Sequence, residues 1–214
     1  VICHGNCLND NYFIQTKANE TVESCIVKSS EFVGCVGFIK GSYENFYFDH
    51  NRVIGSCSGF LYLGIKEKSK IINSRFLLPD EPVFETKDAN NQICQYFVYC
   101  AGENVSFDNN IFKGEKDVSD SSYMVKNYIR VIKGSAWIGY DDDTAMGEVS
   151  NCTFLRLNKC IENIGTVGGC IFEKCREAII ECGYFVTENR FAECKSAIVD
   201  LCSRATLSNC QFID

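Results

Sequence analysis

Proline is nearly absent: two in 214 residues, which excludes collagen-like and proline-rich linker architectures. No apolar run exceeds a few residues, which excludes a membrane-spanning helix and leaves no basis for membrane insertion. No basic block occurs, and 21 basic against 28 acidic residues give a net charge of −7, so nucleic acid is not expected as a partner. Histidine is limited to His4 and His50, and neither lies in a nucleophile motif. G-x-S-x-G, the P-loop and the dinucleotide fingerprint are all missing. Val1-Ile2-Cys3-His4 has no basic segment before an apolar stretch, so no signal peptide is expected in this chain. At 46% hydrophobic and 23% charged residues, the composition is that of a folded chain, expected to form one domain over residues 1–214.

Cysteine, by contrast, is abundant. Fifteen are present, an odd number, and many recur at fixed offsets from an Asn and a Phe. Cys152, Cys170 and Cys210 share one offset, Cys175 and Cys194 another. That regularity favours small apolar fillers in a repeated core position over a full disulfide network. Stacked strands lie about 4.8 Å apart, within the Cα range of a disulfide, so individual pairs stay open.

The repeat is plainest near the C-terminus: NCTFLRLNKCIENIG, GCIFEKCREAIIECG, NRFAECKSAIVDLCS, NCQFID. Each unit opens with Asn or Gly two or three residues before Phe and continues with a small residue and Ile, as in Cys160-Ile161, Ala178-Ile179 and Ala197-Ile198. Running the frame backwards gives anchors at 13, 32, 53, 76, 112, 154, 172, 191 and 212. Six of the eight steps lie between 18 and 23 residues; two, of 36 and 42, are long. Val105-Ser106-Phe107 and Thr206-Leu207-Ser208 alternate with period two, which is the strand pattern. A unit of two or three short strands cannot bury its inward side alone, and stacking units as coils solves this. Asn suits the corners because it tolerates left-handed backbone, and Gly169 meets the same demand. The expected fold is therefore all-β, a right-handed single-stranded parallel β-helix of about nine coils. A leucine-rich repeat would need L-x-x-L-x-L, which is lacking.

The units N-C-x-F-x-x-C-x-x-A-I resemble the repeat of the right-handed, pectate-lyase-like β-helix superfamily, and the Asn corner resembles its asparagine ladder. The cysteine-rich units are also similar to polymorphic outer-membrane-protein-like surface proteins. The resemblance implies a fold shared by polysaccharide lyases, hydrolases, tailspikes and adhesins, and with it an extracellular or cell-surface location. The chain begins and ends in the repeat frame, so a segment of a longer solenoid, or ends covered by a partner, is expected. End-to-end or lateral self-association would follow from the same edges.

The two long steps predict loop excursions within 77–106 and 113–148, each a coil plus roughly 15 to 20 projecting residues, side by side on adjacent coils. Tyr123, Tyr128, Trp137 and Tyr140 are the candidate ligand-binding residues, because aromatic side chains are enriched at recognition surfaces. Asp141, Asp142 and Asp143 form the sharpest acidic cluster. In β-helix lyases such carboxylates hold calcium and a basic residue takes the proton, which makes Arg130 and Lys133 candidate bases. Three consecutive residues cannot supply the six to eight oxygens of a calcium site, so Asp141 and Asp143 would need Glu148 or another coil. Otherwise the triplet is a solvated turn and no cofactor is expected. Cys3-His4-Gly5-Asn6-Cys7 lacks the fourth ligand of a zinc site. Of the sequons at Asn19, Asn104 and Asn151, the last falls on a corner and is expected to stay unmodified. The leading expectation is a β-helical scaffold or adhesion module whose long loops bind a protein or glycan. The alternative is a polysaccharide lyase or glycoside hydrolase acting on acidic polysaccharide.

Overall fold

The computed structural model describes residues 2–4, 14–17, 20–33, 39–54, 61–78, 86–87, 93–94, 96–101, 105–114, 130–134, 147–202 and 205–214. None of them is helical. Apart from one small antiparallel hairpin, all strands pair in parallel with the equivalent strand of a neighbouring repeat, which makes the chain an all-β parallel solenoid.

One wall is a nine-stranded sheet running in order through Ile2–His4, Glu31–Val33, Arg52–Ile54, Arg75–Leu78, Ile111–Gly114, Thr153–Leu155, Ile171–Glu173, Arg190–Ala192 and Gln211–Ile213. Its register puts Phe32, Val53, Phe76, Phe112, Phe154, Phe172, Phe191 and Phe212 in one line. These are the sequence anchors from 32 onward. The residue opposite Phe32 is Cys3, so Cys3 occupies the place expected of Phe13, which itself lies outside the described residues.

The other walls come from longer strands such as Ile39–Asp49, Leu61–Ile72, Lys159–Gly168 and Glu177–Thr187, each bent near its middle. Their first halves align Ile14, Ile39, Leu61, Val98, Ile132, Ile161, Ile179 and Ile198. Their second halves align Val27, Phe48, Ile71, Phe107, Val149, Val167, Val186 and Leu207. Three apolar ladders thus face one another down the axis, and the hydrophobic core is their common interior.

From Phe76 to Phe212 six rings stack with centroids 4.6 to 5.2 Å apart, matching the rise per strand of about 4.8 Å. Val53 interrupts the series. The gap is filled from the opposite wall by Phe48, whose ring lies 6.1 Å from Phe32 and 6.0 Å from Phe76.

The corner before each Phe strand separates two positions that the sequence pattern merges. Three residues before the Phe place the backbone is left-handed: Ser29, His50, Asn73, Asn109, Asn151, Gly169, Glu188 and Asn209, with φ between 48° and 62°. At Gly169 a Cβ would sit 2.7 Å from Oδ1 of the exposed Asn151 side chain, which would have to shift aside. Two residues before Phe the side chain turns inward, and this is the row Ser30, Asn51, Ser74, Asn110, Cys152, Cys170, Asn189 and Cys210. Asn51, Asn110 and Asn189 are buried there with both ends of the amide used. Their Oδ1 atoms accept from the backbone of Ser30, Ser74 and Cys170 at 2.8 to 2.9 Å. Their Nδ2 groups donate to the carbonyls of Val27, Ile71 and Val167.

Cysteine and serine replace asparagine in this row because each can donate to a nearby carbonyl: Ser30 to Lys28, Ser74 to Ile72, Cys170 to Gly168, Cys210 to Ser208. Cys175 and Cys194 do the same at the next corner, donating to Glu173 and Ala192. Every cysteine whose side chain is described is a free thiol, and six of these ten are buried. Burial raises the thiols of Cys100, Cys160, Cys175 and Cys182 above their ordinary 9.0, the last to about 11. Contact with Cys152 raises Cys170, contact with Cys175 raises Cys194, and burial adds to both.

Candidate functional site

In the last three repeats the chain passes from the Phe strand to the following strand through three residues: 156–158, 174–176 and 193–195. The left-handed residues Arg156, Lys174 and Glu193 make that tight corner. The first three coils spend nine, five and six residues at the equivalent step (5–13, 34–38 and 55–60), and the next two spend far more. Between Arg75–Leu78 and Tyr96–Ala101 the chain spends residues 79–95, including the hairpin of Thr86–Lys87 with Ile93–Cys94. Between Ile111–Gly114 and Arg130–Gly134 it spends residues 115–129. The strands on both sides are paired, Arg75 with Ile111 before the excursions and Tyr96 with Arg130 after them. Both excursions therefore leave the same corner of adjacent coils. A third, 135–147, leaves the next corner of the second of these coils, where the lower coils bend at left-handed Asn163 and Glu181 without interruption.

Arg130 and Lys133 both lie on the strand Arg130–Gly134 between the excursions. Arg130 is in register with Tyr96 and Lys159, Lys133 with Tyr99 and Glu162. Glu148 begins the strand after the third excursion, exposed, in register with Ser106 and Thr166. Asp141, Asp142, Asp143, Tyr123, Tyr128, Trp137 and Tyr140 lie outside the described residues. Of the candidate calcium ligands only Glu148 is among the described residues, and no step is derived through that ion. Among the described residues no three metal-ligating side chains converge.

The coil beneath the excursions carries polar groups that motif reading passed over. Lys159 Nζ is 3.2 Å from Glu177 Oε2, and Arg176 Nε is 3.8 Å from Glu177 Oε1. Glu162 is 8% exposed and Asn158 4%, and the Asn158 Oδ1 atom has no hydrogen-bond donor among the described residues. The only signal for these positions was their place right after the corner in the repeat, as in Arg156-Leu157-Asn158-Lys159 and Lys174-Cys175-Arg176-Glu177.

His50 sits at the opposite corner with an exposed ring bonded through Nδ1 to Asp49, which also accepts from Asn73 Nδ2 at 3.0 Å. Burial acts to raise the Asp49 carboxyl. The bonds from Asn73 and His50, with the charges of His50 and Lys28, outweigh it and leave the carboxyl below its ordinary value. The side chains of Cys3 and His4, Cys7, and the sequons Asn19 and Asn104 lie outside what is described, while Asn151 is exposed and donates to Asp108 at 2.8 Å.

No protein family, curated protein or solved structure matches this chain.

Proposed function

We propose that the chain is a β-helical scaffold, of the right-handed, pectate-lyase-like kind, whose long excursions bind a protein or glycan partner at a cell surface or outside the cell. One observation carries the reading. The last three repeats turn this corner in three residues, yet two adjacent coils spend 17 and 15 residues there. Loops of such length in a compact domain are usually functional or disordered, and solenoids gather their insertions on a binding face. Right-handed winding rests on the general preference of crossovers between parallel strands, and the location rests on the resemblance to adhesins and tailspikes.

The test replaces 79–95 and 115–129 by the three-residue corner Lys174-Cys175-Arg176. The shortened protein is expected to keep its circular dichroism spectrum and to lose the signals that the parent gives on glycan and protein arrays. Equal array profiles from two folded proteins would reject the reading.

A further inference from the structure

Two cysteines at the tight corner stand on neighbouring coils in the same pose. Cys175 and Cys194 each follow the left-handed residue of that corner, Lys174 and Glu193, after strands that pair Glu173 with Ala192. The backbone N–H of Lys195 donates to the Cys175 carbonyl at 3.0 Å, which fixes the two cysteines one coil apart. Cys175 Sγ lies 3.4 Å from the carbonyl oxygen of Glu173 and 3.5 Å from that of Phe154 on the preceding coil. Cys194 Sγ lies 3.4 Å from the carbonyl oxygen of Ala192 and 3.6 Å from that of Phe172. The thiols therefore point the same way, one above the other, and they touch. Coils rise by about 4.8 Å, inside the roughly 4.4 to 6.8 Å that separates the Cα atoms of a disulfide. Cys152 and Cys170 form a second stacked pair, with Ile171 N–H donating to the Cys152 carbonyl at 2.9 Å. The two pairs differ in access. Cys152 and Cys170 are 0% and 1% exposed, whereas Cys194 is half-buried beside a buried Cys175.

We propose that Cys175 and Cys194 are a redox modification site: a disulfide oxidant of the glutathione kind joins them into a bond between consecutive coils, while Cys152 and Cys170 stay reduced in the folded chain. The Cys194 thiolate attacks one sulfur of the external disulfide, forming a mixed disulfide and expelling one thiolate. The Cys175 thiolate then attacks the Cys194 sulfur, forming the inter-coil bond and expelling the second. Two protein thiols are oxidised and one external disulfide is reduced to two thiols. The two cysteine protons end on the two leaving groups. Burial raises the Cys175 thiol, and contact with Cys175 together with burial raises that of Cys194. Thiolates are therefore scarce at neutral pH, and the exchange should quicken as pH rises. Once formed, the bond closes the chain from Cys175 to Cys194 into a loop and holds the two corners together when the coils open. The inference does not depend on what the excursions bind.

The test exposes the folded, reduced protein to oxidised glutathione at about pH 8.5, where ordinary thiols are half ionised. Remaining thiols are blocked with iodoacetamide, and linked peptides are mapped by mass spectrometry. A peptide joining Cys175 to Cys194 is expected to accumulate at least about tenfold faster than one joining Cys152 to Cys170. The melting temperature should rise by about 5 °C and return under dithiothreitol. Cys194→Ser, which keeps a donor for the Ala192 carbonyl, should leave Cys175 alkylated and abolish the rise. Circular dichroism checks that the variant is folded. Recovery of Cys175 and Cys194 as separate alkylated or glutathione-bearing residues would overturn the proposal. So would a bond from Cys175 to Cys160, the other thiol it touches. Equal oxidation of the two pairs would place the reaction in unfolded chains and overturn it as well.

Discussion

Asn110 shows how much one side chain carries in this fold. Its amide bridges the backbone of Ser74 and the carbonyl of Ile71 from a position with 1% exposure. Asn110→Ala would strand one donor and one acceptor in the interior and is expected to cost about 3 kcal/mol in urea unfolding. Asn110→Cys should cost less, because Cys152 and Cys170 hold equivalent places. The left-handed corner residues point the other way. Glu188, at φ 57°, has no glycine-like freedom, so Glu188→Gly should raise stability by about 1 kcal/mol, read as a higher urea midpoint. At this scale the sequence was only half legible. Asn precedes Phe by two residues at Asn110 and Asn189 and by three at Asn73 and Asn151. Both were readable as one corner, because Asn suits a left-handed turn and a buried amide ladder alike. Only the register tells the outward row from the inward one.

Among the elements, the Phe wall shows that coils compensate for one another. Val53 is the short member, and the Phe48 ring from the facing wall occupies the space it leaves. Val53→Phe is therefore expected to overpack the core and lower stability by about 1 to 3 kcal/mol, and Phe48→Val in the same chain to recover most of the loss, a coupling that a double-mutant cycle in urea measures. Phe154→Ala, in the unbroken part of the stack, should cost about 3 to 5 kcal/mol with no such rescue. The ladders were legible from residues 32 to 212, since strand period and Phe spacing come from the same side chains. The start was not: Cys3 stands opposite Phe32, and nothing about a lone Cys-His pair distinguishes it from a frayed end. For the candidate site, the long steps showed where extra residues are spent, but neither their corner nor the division of the second step into 115–129 and 135–147. That placement depends on Leu78 pairing with Gly114 and Tyr96 with Arg130, which no local pattern encodes.

Over the whole molecule, the buried thiols tie stability to pH on the alkaline side. Unfolded cysteines ionise near 9.0, whereas burial holds Cys100, Cys160, Cys175 and Cys182 protonated above that value in the folded chain, and thiol contacts with burial do so for Cys170 and Cys194. A folded-state value above the unfolded one gives stability that is complete below pH 9 and is lost as pH rises toward the folded values. Each thiol contributes at most about 1.4 kcal/mol per pH unit. Melting temperature is expected to fall steeply from pH 9 to 10.5, and less steeply in Cys170→Ser. A flat alkaline limb would mean that the thiols are not buried as described.

The central claim, coils stacked in parallel register around a phenylalanine spine, is tested most directly by nuclear Overhauser contacts between ring protons in protein labelled only at phenylalanine. The structure predicts an unbroken chain of contacts, Phe76 to Phe112 to Phe154 to Phe172 to Phe191 to Phe212, between rings whose centroids lie 4.6 to 5.2 Å apart, and none between rings two coils apart. Contacts that skip a neighbour, or a break between Phe154 and Phe172, would contradict the solenoid.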